Sequence, residues 1–221
     1  MPDIDKINNV AVADIDKFQS ITFADGQKVN NQSVSLVTEA HTLISTHTAS
    51  TSATLDITSG IDSTYAVYEF HFINMHPVNN QVDFGFQVNA HDGSSQLTGF
   101  DEYITSTAFY VQHGEGDGAG SSIDYQAAYD QAGGTGYQAL NYESGNDGDQ
   151  SVSGILTLYD PSNDTYVKQW TARAQNAQGD DYSVDMHTAG YINTTNAITQ
   201  ISFKFDTEAI QAGTIKMFGV S

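Results

Sequence analysis

The residues best suited to binding chemistry lie in a glycine- and acid-rich stretch between residues 113 and 150. Two parts of this stretch place carboxylate and amide oxygens beside glycines, an arrangement that can fold around a calcium ion at about 2.4 Å. Neither part has the ligand spacing of an EF-hand loop, and a solvated acidic loop is the alternative interpretation. The candidate calcium ligands are Glu115, Asp117, Asn146, Asp147 and Asp149.

Four tyrosines are spaced through the same stretch, which we expect to form long, flexible loops on a rigid sheet scaffold. A tyrosine in a glycine-rich loop offers rigid contact area with a polar tip, which suits a sugar ring or a protein groove. The alternative is that these rings sit at the rim of the core. The predicted ligand-contact residues are Tyr125, Tyr129, Tyr137 and Tyr142.

Motifs for catalysis are missing from the sequence. There is no cysteine, which excludes disulfides, thiolate metal sites and cysteine nucleophiles. The histidines lack the paired spacing of a transition-metal site, and no Gly-x-Ser-x-Gly elbow, P-loop or dinucleotide fingerprint occurs. Glycoside hydrolysis needs two carboxylates facing one cleft. Glu69 and Asp83 are predicted on the polar faces of neighbouring strands, and Glu102 and Glu143 in loops, but no motif marks a catalytic strand. We therefore predict a protein that is not an enzyme and has no catalytic residues.

The charge balance excludes several classes of partner. The chain has 27 acidic and 7 basic residues, a net charge of −20, and Arg173 is its only arginine. Binding to nucleic acid or to an anionic membrane surface requires clustered lysine and arginine, so neither is expected. A surface adapted to high ionic strength is the general explanation for such a charge. No stretch approaches the roughly 20 apolar residues that span a bilayer, and the start of the sequence lacks the pattern of a secretory signal. Release by cell lysis is therefore the expected route to the exterior.

Three consecutive eleven-residue repeats occupy residues 4–36, at Ile4–Asp14, Ile15–Asp25 and Gly26–Leu36. Their Asn-Asn pairs and β-branched residues favour short strands with turns over a coiled coil. Each unit is too small to bury its apolar positions alone, so we expect this arm to anchor on a neighbouring subunit; folding back onto its own domain is the alternative. The residues that recur in register, and are predicted to anchor the arm, are Lys6, Ile7, Lys17, Phe18, Lys28 and Val29.

The rest of the chain has the alternating pattern of a β-sandwich or barrel. A polar stretch from Thr46 to Thr54 is interpreted as the connection between an arm at 1–45 and a domain at 46–221. Period-two alternation is clear in the predicted strands Tyr65–Met75, Gln81–Ala90, Leu156–Tyr159, Tyr166–Ala174, Ile201–Phe205 and Thr214–Phe218. No helical periodicity occurs. The predicted fold class is all-β, an antiparallel two-layer β-sandwich with a glycine- and aspartate-rich insert at 113–150.

Several segments resemble virion proteins of tailed bacteriophages that infect aquatic bacteria. Gly154–Asn163 (GILTLYDPSN), Tyr166–Arg173 (YVKQWTAR) and Ile210–Gly219 (IQAGTIKMFG) resemble their concanavalin-like sandwich modules, and Ile4–Ala11 (IDKINNVA) is similar to the repetitive leaders of such modules. The resemblance implies an antiparallel jelly roll. All matching positions are core or turn residues, so no site residue is carried over.

The same resemblance implies a non-enzymatic structural protein of the virion, assembled in the host cytoplasm. A tail fibre or host-contact component is the leading interpretation, and a capsid decoration protein, or head fibre, is the alternative. The expected partners are other tail or capsid subunits, further copies of the chain (a trimer would suit a fibre) and a glycan of the host surface. A secreted sandwich protein that binds or cleaves glycans is the alternative from another class.

Overall fold

The computed structural model describes residues 41–116 and 119–221 and, before them, the backbone of four two-residue strands. These short strands are β1 (Lys6–Ile7), β2 (Val10–Ala11), β3 (Lys28–Val29) and β4 (Gln32–Ser33). The chain forms two compact units, Met1–Glu39 and Ala40–Ser221.

The first unit contains two antiparallel hairpins, in which β1 pairs with β2 and β3 pairs with β4. Lys6 opposes Ala11 in the first hairpin, and Lys28 opposes Ser33 in the second. The equivalent lysines are two repeat lengths apart, so the sequence repeat is also a repeat of the backbone pairing. The second repeat, with Lys17 and Phe18, lies outside the described residues.

The second unit is built from two antiparallel sheets, as the alternation predicts. Its strands are β5 (His41–Ser52), β6 (Leu55–Ile57), β7 (Val67–Pro77), β8 (Phe84–His91), β9 (Ile104–Gly114), β10 (Ser121–Tyr125), β11 (Ala132–Gly134), β12 (Gln138–Ala139), β13 (Val152–Tyr159), β14 (Lys168–Gln178), β15 (Tyr182–Ile192), β16 (Ala197–Phe205) and β17 (Ile210–Val220). Nine strands form a large sheet in the order β10-β9-β15-β14-β13-β7-β17-β5, with β11 added beside β9. The other four form a small sheet in the order β12-β8-β16-β6.

The two sheets share one core. Side chains of β7 point inward at Tyr68, Phe70 and Phe72, while the outward positions between them are partly exposed. From the small sheet, Phe84 packs 5.4 Å from Phe72, measured between ring centroids, and Phe86 packs edge-on against Trp170 of β14 at 5.0 Å. An all-β fold of packed antiparallel layers is therefore confirmed, because period-two patterns bury one face of each strand.

A second, smaller apolar cluster lies on the inner side of the large sheet, near the edge formed by β10. It consists of Ala108, Tyr110, Val184 and Met186 of β9 and β15, with Tyr129, Tyr142 and Tyr182 packed against it. The segment that follows β10 therefore supplies much of its cover. Leu140, Asn141 and Ser144 in this segment are fully buried. The expectation of long, flexible loops throughout 113–150 is wrong for this part, because polar side chains there fill buried positions.

The polar stretch at Thr46–Thr54 is not a linker. Most of it belongs to β5, the edge strand of the large sheet, which pairs with β17 from His41 onward. Threonine is β-branched and polar, so it suits a strand with a solvent-facing side and one free edge. The division between the two units accordingly falls at Glu39–Ala40 and not at the expected position 45/46.

The outward face of β8 is covered by chain and not by solvent. Gln87 is fully buried, and its amide donates to the carbonyl oxygens of Glu102 at 2.9 Å and Thr135 at 3.1 Å. Asn89 donates to the carbonyl oxygen of Leu97 at 2.7 Å. These amides fasten the segments around residues 97–102 and 135 onto the small sheet. The second segment continues into Gly136 and Tyr137, which line a cleft on the outer side of that sheet.

Candidate functional site

A cleft of about 260 Å³ opens on the outer side of the small sheet, beneath the segment that joins β10 to β12. Three neighbouring strands form its floor, where Gly85 of β8 lies between Ala139 of β12 and Lys204 of β16. A Cβ atom on Gly85 would lie 2.7 Å from the carbonyl oxygen of Gln138. The close approach of β12 therefore requires glycine at position 85, and with Ala139 beside it the centre of the floor carries almost no side chain. The other lining residues are Asp83, Ala128, Tyr129, Asp130, Gln131, Gly136, Tyr137 and Asp206.

Asp83 is the most strongly perturbed acid of the cleft. Burial, with smaller contributions from the nearby charges of Asp206 and Glu143, raises its pKa to about 6, against the lowering effect of the hydrogen bond from Tyr129. Its carboxylate also accepts the backbone N–H of Glu143 at 2.9 Å. Glu143 has a left-handed backbone, with φ of 48°, which is rare outside glycine. Asp83 therefore holds a turn and a tyrosine in place and changes protonation close to neutral pH.

Tyr129 and Tyr137 both line the cleft, and each hydroxyl has a hydrogen-bond partner, Asp83 for Tyr129 and Ser202 for Tyr137. Burial raises the pKa of each hydroxyl, so both stay neutral donors. The Tyr137 hydroxyl donates to Ser202 Oγ at 2.8 Å, and Ser202 donates in turn to Asp56. Lys204 Nζ lies 4.5 Å from the centroid of the Tyr137 ring, within the range of a cation–π contact.

The wall that carries Tyr129 is a short 3₁₀ turn, Ala127–Tyr129, tied to β9 on both sides. Asp130 Oδ1 accepts the backbone N–H of Ala108 at 2.9 Å, and Ser106 Oγ accepts that of Gln131. The Oε1 atom of Gln131 is buried and has no hydrogen-bond partner within the described part of the chain. The wall is therefore braced by polar contacts, with one acceptor left over beside the cleft.

The structure separates the four tyrosines predicted to contact a ligand. Tyr129 and Tyr137 line the cleft. Tyr125 lies on β10, exposed on the large sheet, where its hydroxyl bonds Asp130. Tyr142 stacks on Tyr110 with 4.6 Å between ring centroids and belongs to the small apolar cluster. Spacing in the sequence predicted the segment that holds two of them, but which rings face a cavity depends on how the segment folds.

The carboxylates considered for glycoside hydrolysis do not form the expected pair. Glu69 lies on β7 of the large sheet, where its Oε2 contacts His71 at 2.8 Å and His41 at 3.2 Å. Asp83 precedes β8 of the small sheet. The expectation that they lie on neighbouring strands is wrong, since adjacent segments of sequence belong to different layers. Asp206, which the sequence analysis did not single out, is the acid beside Asp83 in the cleft.

The predicted calcium ligands that the structure describes lie in two separate loops. Glu115 donates its backbone N–H to Asp181, and Asp117 is outside the described residues. The Asn146 amide donates to the carbonyl oxygen of Val78 at 2.8 Å, and Asp147 and Asp149 are exposed. Across residues 41–116 and 119–221 no group of three or more histidine, aspartate or glutamate side chains is placed to hold a metal ion. The calcium site stays a prediction.

No protein-family model matches this chain, and no curated protein or solved structure matches it. In the described residues no helix is long and apolar enough to cross a membrane. The cleft itself offers hydroxyl, carboxylate, ammonium and amide groups around a bare floor. Such a set can form several hydrogen bonds to a small polyol and place a ring against tyrosine.

Proposed function

We propose that this chain is a non-enzymatic structural protein of a tailed-phage virion, a tail fibre or host-contact component anchored by its N-terminal repeats. The β domain, interpreted as a concanavalin-like jelly roll, would be displayed outward. The proposal rests on the resemblance of its strands and repeats to such proteins. The observation that carries it is the division of the chain into a unit of repeated hairpins and a domain with its own core.

The hairpins support an anchoring role because they are very small. Each pairs only two residues on either side of an Asn-Asn sequence. An isolated two-stranded hairpin is at best marginally stable in water, so its apolar residues require burial against another surface. Residues 1–39 contain six acidic and three basic residues, whereas residues 40–221 contain 21 acidic and four basic residues. The arm is thus the part least repelled by an acidic neighbour.

The cleft supports contact with a host glycan. Two neutral tyrosines, the Lys204 ammonium and the Asp206 carboxylate surround a floor that has almost no side chains. Sugar-binding sites combine an aromatic face with several hydrogen-bonding groups, and this cleft offers both in a volume suited to a single small ring. The ligand we propose is a neutral sugar, because the carboxylates around the cleft outnumber its one lysine.

Anchoring is tested by comparing particles assembled with the full chain and with a chain that lacks residues 1–39. The shortened chain is expected to fold and to be absent from particles. The double variant Ile7→Asp with Val29→Asp should behave in the same way, because it places charge at apolar repeat positions. Asn9→Asp with Asn31→Asp adds equal charge between the paired strands and is the matched control. Full incorporation of the shortened chain would reject anchoring by the repeats.

Host contact is tested separately with Tyr137→Ala, which removes one wall of the cleft. We expect slower adsorption to host cells and weaker binding to host surface glycans. Tyr166→Ala removes a tyrosine that is 70% exposed outside the cleft and is the control. If particles that lack the protein adsorb at the normal rate, capsid decoration becomes the better interpretation.

A glycan-cleaving activity is the second candidate, and one observation favours it. Asp83 has a pKa of about 6 beside Asp206, and raised carboxyl pKa values are typical of general acids. Its oxygens already accept hydrogen bonds from Tyr129 and Glu143, which favours a bracing role. We expect no release of reducing ends from host polysaccharide. A release that Asp83→Asn abolishes would show that the protein is an enzyme.

A further inference from the structure

The outward-pointing side chains of the large sheet form a broad surface, called here the outer face. The strand register sets five of them side by side across five strands: Tyr125, Phe109, His187, Arg173 and Ile155. The rings of Phe109 and His187 are stacked with centroids 4.9 Å apart and 4° between their planes. This arrangement places aromatic and aliphatic groups across the half of the sheet that runs from its β10 edge to its centre, facing away from the core.

The outer face is electrically neutral, although the domain is strongly acidic. Its outward positions in the described strands carry two carboxylates, Glu69 and Asp185, and two cations, Arg173 and Lys216. Asp185 is paired with Arg173 through contacts of 2.9 and 2.8 Å. With 21 acidic and four basic residues, residues 40–221 have a net charge of −17. That excess therefore lies on other surfaces.

Exposed apolar side chains are concentrated on the same face. Eight of the eleven large hydrophobic residues that are exposed in the described part of the chain point outward from this sheet. Among these eight, the most exposed are Ile123 at 75%, Tyr125 at 65%, Leu43 at 51% and Phe109 at 48%. A concentration of exposed apolar side chains on one face of a protein that is otherwise covered with charge indicates an interaction site.

The size of the face matches a protein–protein interface. Eight strands spaced by about 4.8 Å give a width of about 34 Å, and eleven-residue strands are about 36 Å long. Several strands are shorter, so the usable area is on the order of 1,000 Å², against about 800 Å² per partner in a typical stable complex.

We propose that two copies of this chain associate through the outer face of the large sheet. We infer that the binding partner is a second copy of this chain. Two domains with a net charge of −17 each can approach closely only where neither presents unpaired carboxylates. A two-fold axis near Ile155 and Arg173, on the two central strands, makes the face self-complementary. Each Arg173–Asp185 pair can then share its charges with the equivalent pair of the other copy. The cleft opens at the small sheet and meets the outer face only at its β10 edge, where the Tyr125 hydroxyl bonds Asp130.

This association has a distinctive salt dependence. The apolar contact is insensitive to moderate salt, whereas repulsion between the remaining acidic surfaces is screened by it. The dimer should therefore become tighter as sodium chloride rises from 50 to 500 mM. Docking driven by opposite charges would weaken over the same range.

The test is sedimentation velocity of the full chain across this salt range, with two pairs of variants. Each pair places two charges on the outer face. The first pair is Phe109→Glu with Ile155→Glu, and the second is Thr107→Glu with Gln175→Glu. The second pair replaces exposed polar residues, so it preserves folding. Val78→Glu with Gly148→Glu adds equal charge elsewhere and is the control; a Cβ at Gly148 meets no atom within 4 Å. We expect both face pairs to weaken dimerisation at least tenfold and the control to have no effect.

Three results would overturn the proposal. One is a full chain that sediments as a monomer, or as a trimer, at every salt concentration. Another is a dimer that both face pairs leave intact. The third is a dimer that dissociates only when residues 1–39 are removed, which would assign the contact to the repeats.

Discussion

Replacing Asp83 with asparagine tests the electrostatic account of the cleft. Asparagine has nearly the shape of a protonated aspartate and cannot ionise. It keeps an oxygen for the backbone N–H of Glu143, and its amide can donate to the Tyr129 hydroxyl. The variant therefore preserves the contacts and removes only the titration.

The expected magnitude follows from the raised pKa of Asp83. Burial, with the charges of Asp206 and Glu143, raises the pKa from 3.8 to about 6 in the folded protein. Between these values the folded state binds more protons than the unfolded state, so stability falls as pH rises. A difference of about two pKa units corresponds to about 3 kcal/mol. The contribution is complete below pH 3.8 and is lost once the pH exceeds about 6.

The assay is urea unfolding of the wild type and Asp83→Asn between pH 3 and 8. The wild type should lose about 3 kcal/mol relative to the variant across this range. Comparing the two cancels the titration of the other acidic groups. Asp149→Asn, which removes an exposed carboxylate from another loop, should show no such relative change. Asp206→Asn removes a neighbouring charge and should move the transition to lower pH. The reasoning would be refuted if the free energy of unfolding of the wild type, relative to that of Asp83→Asn, stayed constant or rose as the pH increased.

Three further predictions concern the scaffold. Lys168 is fully buried, and its ammonium donates to the carbonyl oxygens of Tyr166, Thr194 and Thr195. Lys168→Met should therefore lower the free energy of unfolding in urea by about 2–4 kcal/mol. Gly190→Ala would place a Cβ 2.3 Å from the carbonyl oxygen of Thr105 and 2.9 Å from Trp170; about 1–3 kcal/mol should be lost, and Gly148→Ala should lose nothing. Because protein contacts already hold the loop around Asn146, added calcium should leave the melting temperature unchanged, and a rise would support the calcium site.

Most of the strands could be predicted from the sequence. Alternation within Tyr65–Met75 and Gln81–Ala90 predicted which side chains face the core, and both strands pack there. The predicted strands Leu156–Tyr159 and Tyr166–Ala174 correspond to β13 and β14, which pair as a hairpin; Pro161 and Asn163 between them favour a turn. These features depend on neighbours in the chain, so local sequence is sufficient to predict them.

The candidate site was only partly predictable. The segment predicted to contact a ligand places Tyr129 and Tyr137 in the lining of the cleft, but Tyr125 and Tyr142 face elsewhere. The sequence analysis did not single out Lys204 and Asp206. The signal that could have identified them is their outward position on or next to a strand that lies beside that segment. Gln87 shows why this is difficult, since a polar residue in an alternating strand looks solvent-exposed until another segment buries it.

The sequence by itself determined the all-β class, the acidic charge, the absence of sulfur chemistry and the repeat at 4–36, because composition and short-range periodicity are properties of the chain. The tertiary structure decided which of these residues meet. Asp83, Tyr129 and Lys204 are far apart in sequence and surround one cleft only because β8 pairs with both β12 and β16. The neutral outer face likewise exists only after eight strands align in register. Long-range strand pairing sets both sites, and no local pattern encodes it.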